Sequence, residues 1–166
     1  MTTQSDWNGL IQAHVAPLYR RVSRRVGGDR ELAEDVTQET WLRAVDAWKR
    51  KGAPRDPSAW LMTVAMNLLR THFRRRPLES LGDASEEVPA TPEGVQRERA
   101  ARVQWGLAQL RTQQAHLLAA HHLDGESIAQ LAQAHGLSER AVEGRLSRAR
   151  AALRGLLGSD PLTTES

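Results

Sequence analysis

A chain of 166 residues holds one domain or two small ones, and each half would bury its core with roughly 70 residues, marginal for a deep active-site cleft. With no cysteine it has no disulfide, thiolate nucleophile or thiolate metal site, and no apolar run approaches the ~20 residues of a membrane span; a reducing cytoplasm without membrane insertion is the expected location. The net charge of +3 hides two basic blocks around an acidic one: 14 Lys+Arg against 8 Asp+Glu in residues 1–76, 2 against 6 in 77–100, and 7 against 4 in 101–158.

Apolar positions recur at three and four residues, β-branched residues are sparse and alternating runs are absent, so the expected fold class is all-α. The first helix is expected at 7–26, kinked or split at Pro17 and ended by Gly27-Gly28. The second, at 30–48 with Asp29 as cap, carries an apolar stripe of Ala33, Val36, Trp41, Ala44, Val45 and Trp48. Opposite it lie Asp35, Gln38, Glu39, Leu42 and Asp46, an acidic face with one leucine. Such a face suits a basic partner helix, although a solvated helix surface is the plainer reading of these residues alone.

A third helix at 58–75 presents Thr63, Asn67, Arg70, Thr71 and Arg74 as a polar stripe, with Leu61, Val64, Leu68 and Phe73 toward the core. Arg70 and Arg74 can hold phosphates, and Asn67 can bond a base edge or the backbone. Residues 77–94, rich in proline and acid, read as a flexible linker that divides the chain into 1–76 and 95–158, with a tail at 159–166.

Beyond the linker, helices are expected at 92–110, 113–123, 128–135 and 139–157. In the last two, Ala132, Gly136 and Val142 have the spacing of a helix-turn-helix, in which small alanine permits contact, glycine turns and valine packs. Leu131, Leu137 and Leu146 complete its core, and Val142, Leu146, Ala149, Leu153 and Leu156 form the stripe of the last helix. That leaves Arg140, Glu143, Gly144, Ser147 and Arg148 facing outward as candidate base readers, with Arg145 and Arg150 on the flanks for phosphates.

The segment 123–153 resembles region four of the extracytoplasmic-function sigma factors, down to Arg145, Leu146, Arg148, Ala149 and Arg150 at its end. Glu34-Asp35-Val36-Thr37-Gln38-Glu39-Thr40-Trp41-Leu42-Arg43-Ala44 and Trp60-Leu61-Met62-Thr63-Val64-Ala65-Met66-Asn67-Leu68 resemble two helices of the family's region two, followed by the basic run Arg74-Arg75-Arg76. Thr71 stands where the family commonly has aspartate, and Leu110-Arg111 replaces Leu-Pro.

The resemblance implies that the acidic face of the second helix docks on the clamp coiled coil of the largest subunit of core RNA polymerase. It implies that the helix-turn-helix reads the minus-35 promoter element. It places the minus-10 element on the third helix and the loop before it, 49–56, which adds Lys49, Arg50, Lys51, Arg55 and Arg75 to the set. The family commonly answers to an anti-sigma factor, for which no residue here reads as a docking site. No catalytic residue, metal or cofactor is expected: His116, His121 and His122 lack a carboxylate at ligand spacing, and no phosphate loop occurs. The competing reading is a helix-turn-helix regulator that works without polymerase.

Overall fold

The computed structural model describes residues 3–78 and 91–158, and their regular structure consists of seven α-helices. They are α1 (Gln4–Arg25), α2 (Arg30–Lys51), α3 (Pro57–Arg74), α4 (Pro92–Gln109), α5 (Thr112–His122), α6 (Ile128–His135) and α7 (Glu139–Leu157). Helix α4 opens at Pro92 as expected, with Thr91 accepting from the Gly94 amide at 3.0 Å, so residues 92–94, also counted with the linker, form its first turn. The tail and most of the linker lie outside the described residues.

Local chemistry accounts for the helix ends. Asp29, Asp56 and Ser138 each accept an amide proton in the first turn of the helix they open, and Ser127 with Gln130 closes a two-way capping box at α6. A box of the same kind, Thr3 with Asp6, starts α1 three residues earlier than its apolar pattern does. That bond also holds the Asp6 carboxyl below its ordinary pKa.

Pro17 does not split α1, which is continuous from Gln4 to Arg25. A proline inside a helix costs about 3 kcal/mol. The burial of Leu18 and Val22 directly after it, at 4% and 0% exposure, offsets that cost.

The helices α1, α2 and α3 enclose one core, in which Leu18, Val22, Val36, Trp48, Leu61, Met62, Leu69 and Phe73 are buried. On α3 the buried positions are Leu61, Met62, Ala65, Leu69 and Phe73, whereas Val64 and Leu68 are half-buried on its flank. The stripe is rotated because the helix must meet both α1 and α2. On α2 the hydroxyls of Thr37 and Thr40 are buried in place of Trp41 and Val45, and Thr40 Oγ1 donates back to the Val36 carbonyl at 2.7 Å. The second core gathers Val103, Leu107, Leu118, Leu131, Val142, Leu146 and Leu153 from α4 to α7. Here Leu157 is the buried residue of the last turn, and Leu156 is exposed.

Helix α4 serves both cores. Ala101, Trp105 and Ala108 pack against the first, while Val103, Leu107 and Leu110 belong to the second. Two glycines set its distances. A Cβ on Gly106 would fall within overlap of the Leu153 side chain, and one on Gly27 would stand 2.7 Å from both Ala100 Cβ and the Gln96 carbonyl oxygen.

Gly27 also has φ 64°, in the left-handed region. Gly27→Ala should therefore cost about 2–5 kcal/mol, since left-handed strain adds to an overlap that backbone atoms cannot relieve. Thermal unfolding followed by circular dichroism checks this, and a loss below ~1 kcal/mol would place α1 and α4 further apart.

Candidate nucleic-acid and partner interface

Helix α7 presents the expected reading face. Arg140, Glu143, Arg145, Ser147 and Arg148 are exposed, and none of their side chains makes a hydrogen bond or ion pair with another described residue. Gly144 is half-buried because the Arg148 guanidinium lies back over it, with Nη1 3.5 Å from where a Cβ would stand. The αL turn at Gly136, φ 63°, directs α7 away from α6 and leaves this face to solvent. Arg150 differs from the expectation: it is half-buried, with Nε enclosed, so Arg145 is the flanking arginine with freedom to reach a phosphate.

Helix α2 carries the acidic face. Asp35, Gln38, Leu42 and Asp46 are exposed, Leu42 at 60%, and Glu39 is half-buried. Glu39 accepts from Arg43 at 2.9 Å and Asp46 from Arg50 at 2.8 Å, both one turn along the helix. Exposed pairs of this kind contribute about 0.3–0.5 kcal/mol each, so an incoming cation can replace either arginine at little cost. Asp35 has no such partner among the described residues and offers the barest charge.

The basic set assigned to the minus-10 element is divided by the fold. Lys49, Arg50 and Lys51 form the last turn of α2 and not a loop, because the helix runs on until Gly52 stops it at φ 79°. Three cations also suit the negative end of that helix. Only residues 52–56 connect α2 to α3, with Arg55 exposed among them. Arg74 and Arg75 lie at the opposite end of α3, about 27 Å away for its 18 residues.

Between these ends Thr63 and Thr71 donate to the carbonyls of Ala59 and Asn67 at 2.9 and 3.0 Å, so their hydroxyls are already engaged. Asn67 is exposed, and its side chain is unengaged among the described residues. Arg70 is not on the open stripe. It is half-buried, and its Nη2 donates at 2.6 Å to the carbonyl of Leu110, the residue that ends α4.

Sequence reasoning missed the residues that join the two cores. Asp124, in the turn between α5 and α6, accepts from Arg25 at 2.8 Å and lies 3.5 Å from Arg21. The Arg25 side chain is 7% exposed, and burial pushes its guanidinium below its ordinary pKa while Asp124 pulls it back up. The Trp105 indole donates to the Arg76 carbonyl at 2.9 Å. These partners are 29 to 103 residues apart in the chain, and no local pattern signals them. Of the histidines, His121 bonds the Glu126 carbonyl through Nδ1 at 2.7 Å, a packing role.

Comparison with known proteins fits this two-core arrangement. The family model for Sigma-70 region 2 matches residues 10–77, and that for Sigma-70 region 4 matches residues 106–153. The RNA polymerase sigma factor CnrH of Cupriavidus metallidurans is 30% identical over 95% of this chain and 89% of its own. The chain belongs to the extracytoplasmic-function sigma factors.

Two further members of the family are similar. The ECF RNA polymerase sigma factor SigL of Mycobacterium tuberculosis is 34% identical over 87% of this chain and 85% of its own. The ECF RNA polymerase sigma factor BldN of Streptomyces coelicolor is 35% identical over 91% of this chain, which spans only 60% of BldN. As a family member the chain has region two on α1 to α3 and region four from the last turn of α4 through α7. Most of α4 lies between the two matches, which agrees with its packing on both cores.

Proposed function

We propose that this chain is an alternative sigma factor: it binds core RNA polymerase, recognises minus-35 and minus-10 elements and promotes opening of the DNA for transcription initiation. The observation that carries the reading is the presence, on one small chain, of two bare faces of opposite kind. An acidic surface with an exposed leucine on α2 fits a basic protein helix, and an arginine-rich surface on α7 fits DNA. Asp35, Gln38, Glu39, Leu42 and Asp46 take the polymerase; Arg140, Glu143, Gly144, Ser147 and Arg148 read the upstream element, with Arg145 on phosphate.

For the minus-10 element, Asn67, Arg74, Arg75, Arg55 and the α2 terminus Lys49, Arg50 and Lys51 hold the separated strand along α3. Unstacking a base costs a few kcal/mol, and phosphate contacts spread over such a length offset it. The work belongs in the cytoplasm, where polymerase and promoter are, and it calls for no cofactor and no catalysis by this chain. Among the described residues no helix is long and apolar enough to cross a membrane.

The test is transcription in vitro with core polymerase on a library of genomic fragments, with the double reversal Asp35→Lys and Glu39→Lys as the partner variant. Each like-charge juxtaposition costs on the order of 1 kcal/mol near a surface, so polymerase binding should weaken roughly 10- to 100-fold while the helices persist. Fragment binding that needs no polymerase, unchanged by the reversal and followed by no transcript, would replace this reading with a polymerase-independent regulator.

A further inference from the structure

Most arginines near the ends of α1 and along α2 have acid partners. Arg30, Arg43 and Arg50 each pair with a carboxylate one turn away, and Arg21 and Arg25 meet Asp124. Arg20 and Arg24, on the next strip of α1, do not: both are exposed, and neither side chain bonds another described residue. The acid that α1 carries is Asp6, in its first turn and about 21 Å from Arg20 along the helix. One turn apart, the two guanidinium groups repel each other. The negative end of the helix offsets that for Arg24, in the last turn, and hardly reaches Arg20.

Beside them α1 forms a shallow recess of about 400 Å3, open to solvent and lined by Tyr19, Arg20, Ser23 and Arg24. It offers two guanidinium groups, two hydroxyls and no carboxylate. The hydroxyls stand on fixed frames: the Tyr19 ring packs against the first core, and the Ser23 carbonyl accepts the Gly28 amide at 2.9 Å. Neither hydroxyl has a hydrogen-bond partner among the described residues. Of the first three acids past the turn, Asp29 caps α2 through the Leu32 amide and Glu34 holds Arg30 at 2.8 Å, which leaves Glu31 against two free cations.

We propose that this face of α1 is a phosphate-binding site, in which Arg20 and Arg24 straddle a phosphoryl group and the Tyr19 and Ser23 hydroxyls bond its oxygens. Guanidinium forks match phosphate oxygens, and an anion held there relieves a repulsion that the fold leaves standing. A carboxylate is the poorer ligand, with two oxygens for four donor groups, whereas a terminal phosphoryl group presents three. The site lies about 30 Å from Lys49 to Lys51, because α1 and α2 run antiparallel with Trp7 against Trp48. It rests on the side chains of α1 and not on the sigma-factor reading. A free polyphosphate and a nucleic-acid backbone present the same oxyanion, and the experiment separates them.

Isothermal titration calorimetry of the full chain, in about 0.1 M salt, takes inorganic tripolyphosphate as one probe and a short duplex without promoter elements as the other. Duplex isotherms are compared in a background of Arg140→Ala and Arg148→Ala, so that α7 does not dominate them. Arg20→Gln with Arg24→Gln should weaken binding roughly tenfold or more. Tyr19→Phe and Ser23→Ala change no charge, and each should weaken it about 2- to 12-fold, the equivalent of one hydrogen bond. Arg43→Gln with Arg111→Gln removes the same charge at exposed positions elsewhere, and the affinity should stay within about twofold.

Losses confined to tripolyphosphate assign the site to a free phosphorylated ligand, and losses on the duplex assign it to nucleic-acid backbone. The proposal is overturned if neither probe binds saturably. It is equally overturned if the Arg43 and Arg111 variant loses as much as the Arg20 and Arg24 variant, or if both hydroxyl variants bind like the parent, since a diffuse positive surface needs no hydroxyl.

Discussion

Alanine at both Arg140 and Arg148 should weaken recognition of the upstream element by about 2–6 kcal/mol, roughly a 30-fold to more than 10,000-fold loss. The range follows from about 1–3 kcal/mol for each bidentate grip on a base. The two residues are eight positions apart, about 12 Å along α7, far enough for their effects to add. Both are exposed, and neither side chain bonds another described residue, so helicity should be unchanged.

Arg145→Ala supplies the contrast. Removing a phosphate-holding cation there lowers affinity for all sequences alike and reduces the salt dependence by about one ion. Fluorescence anisotropy on matched and scrambled upstream duplexes, at several salt concentrations, separates the two behaviours. If the double variant loses affinity equally for both duplexes, the face of α7 holds backbone and does not read bases.

Trp48→Ala should destabilise the chain by about 3–5 kcal/mol, the upper range for a single core change. Its ring, 2% exposed, lies 6.1, 6.0 and 5.3 Å from the rings of Trp7, Trp41 and Trp60, so one deletion leaves a void shared by α1, α2 and α3. For a protein of this size each kcal/mol is about 2–4 °C, which gives a fall of roughly 6–20 °C in Tm.

Trp48→Phe should cost much less. The indole Nε1 of Trp48 is buried without an acceptor, so phenylalanine gives up ring volume and no hydrogen bond. Urea unfolding of both variants decides, and a Trp48→Ala loss no greater than that of Trp48→Phe would mean that the aromatic cluster is not the keystone of region two. Polymerase binding should fall with stability, since Asp46 stands beside Trp48 on the same helix.

Local features are legible in the sequence, and distant ones are not. Asp29, Ser127 and Ser138 announce their helices because a cap acts within four residues, and Ala132, Gly136 and Val142 announce the helix-turn-helix for the same reason. The end of α2 escapes a sequence reading because Lys49, Arg50 and Lys51 look like a basic loop, although cations are favoured in a last turn and Gly52 is the stop signal. Pro17 suggests a break because the apolar burial that carries α1 through it belongs to tertiary structure. Arg70 looks solvent-facing because its acceptor, Leu110, is 40 residues away, and Arg25 resembles any other residue of a basic helix. The reading face of α7 follows from its apolar stripe, whereas the burial of Arg150 Nε on its flank does not.

The grip of Arg70 on Leu110 bears on which arginines of α3 an incoming strand meets first. When the form that can take a ligand is a fraction of the whole, the measured Kd equals the intrinsic Kd divided by that fraction. Were the guanidinium free of the carbonyl in about one chain in a hundred, a phosphate would find Arg70 about a hundredfold more weakly than an arginine already free, while the exposed face of α2 would meet its partner undiminished. A guanidinium and a carbonyl 2.6 Å apart thus rank the cations along one helix.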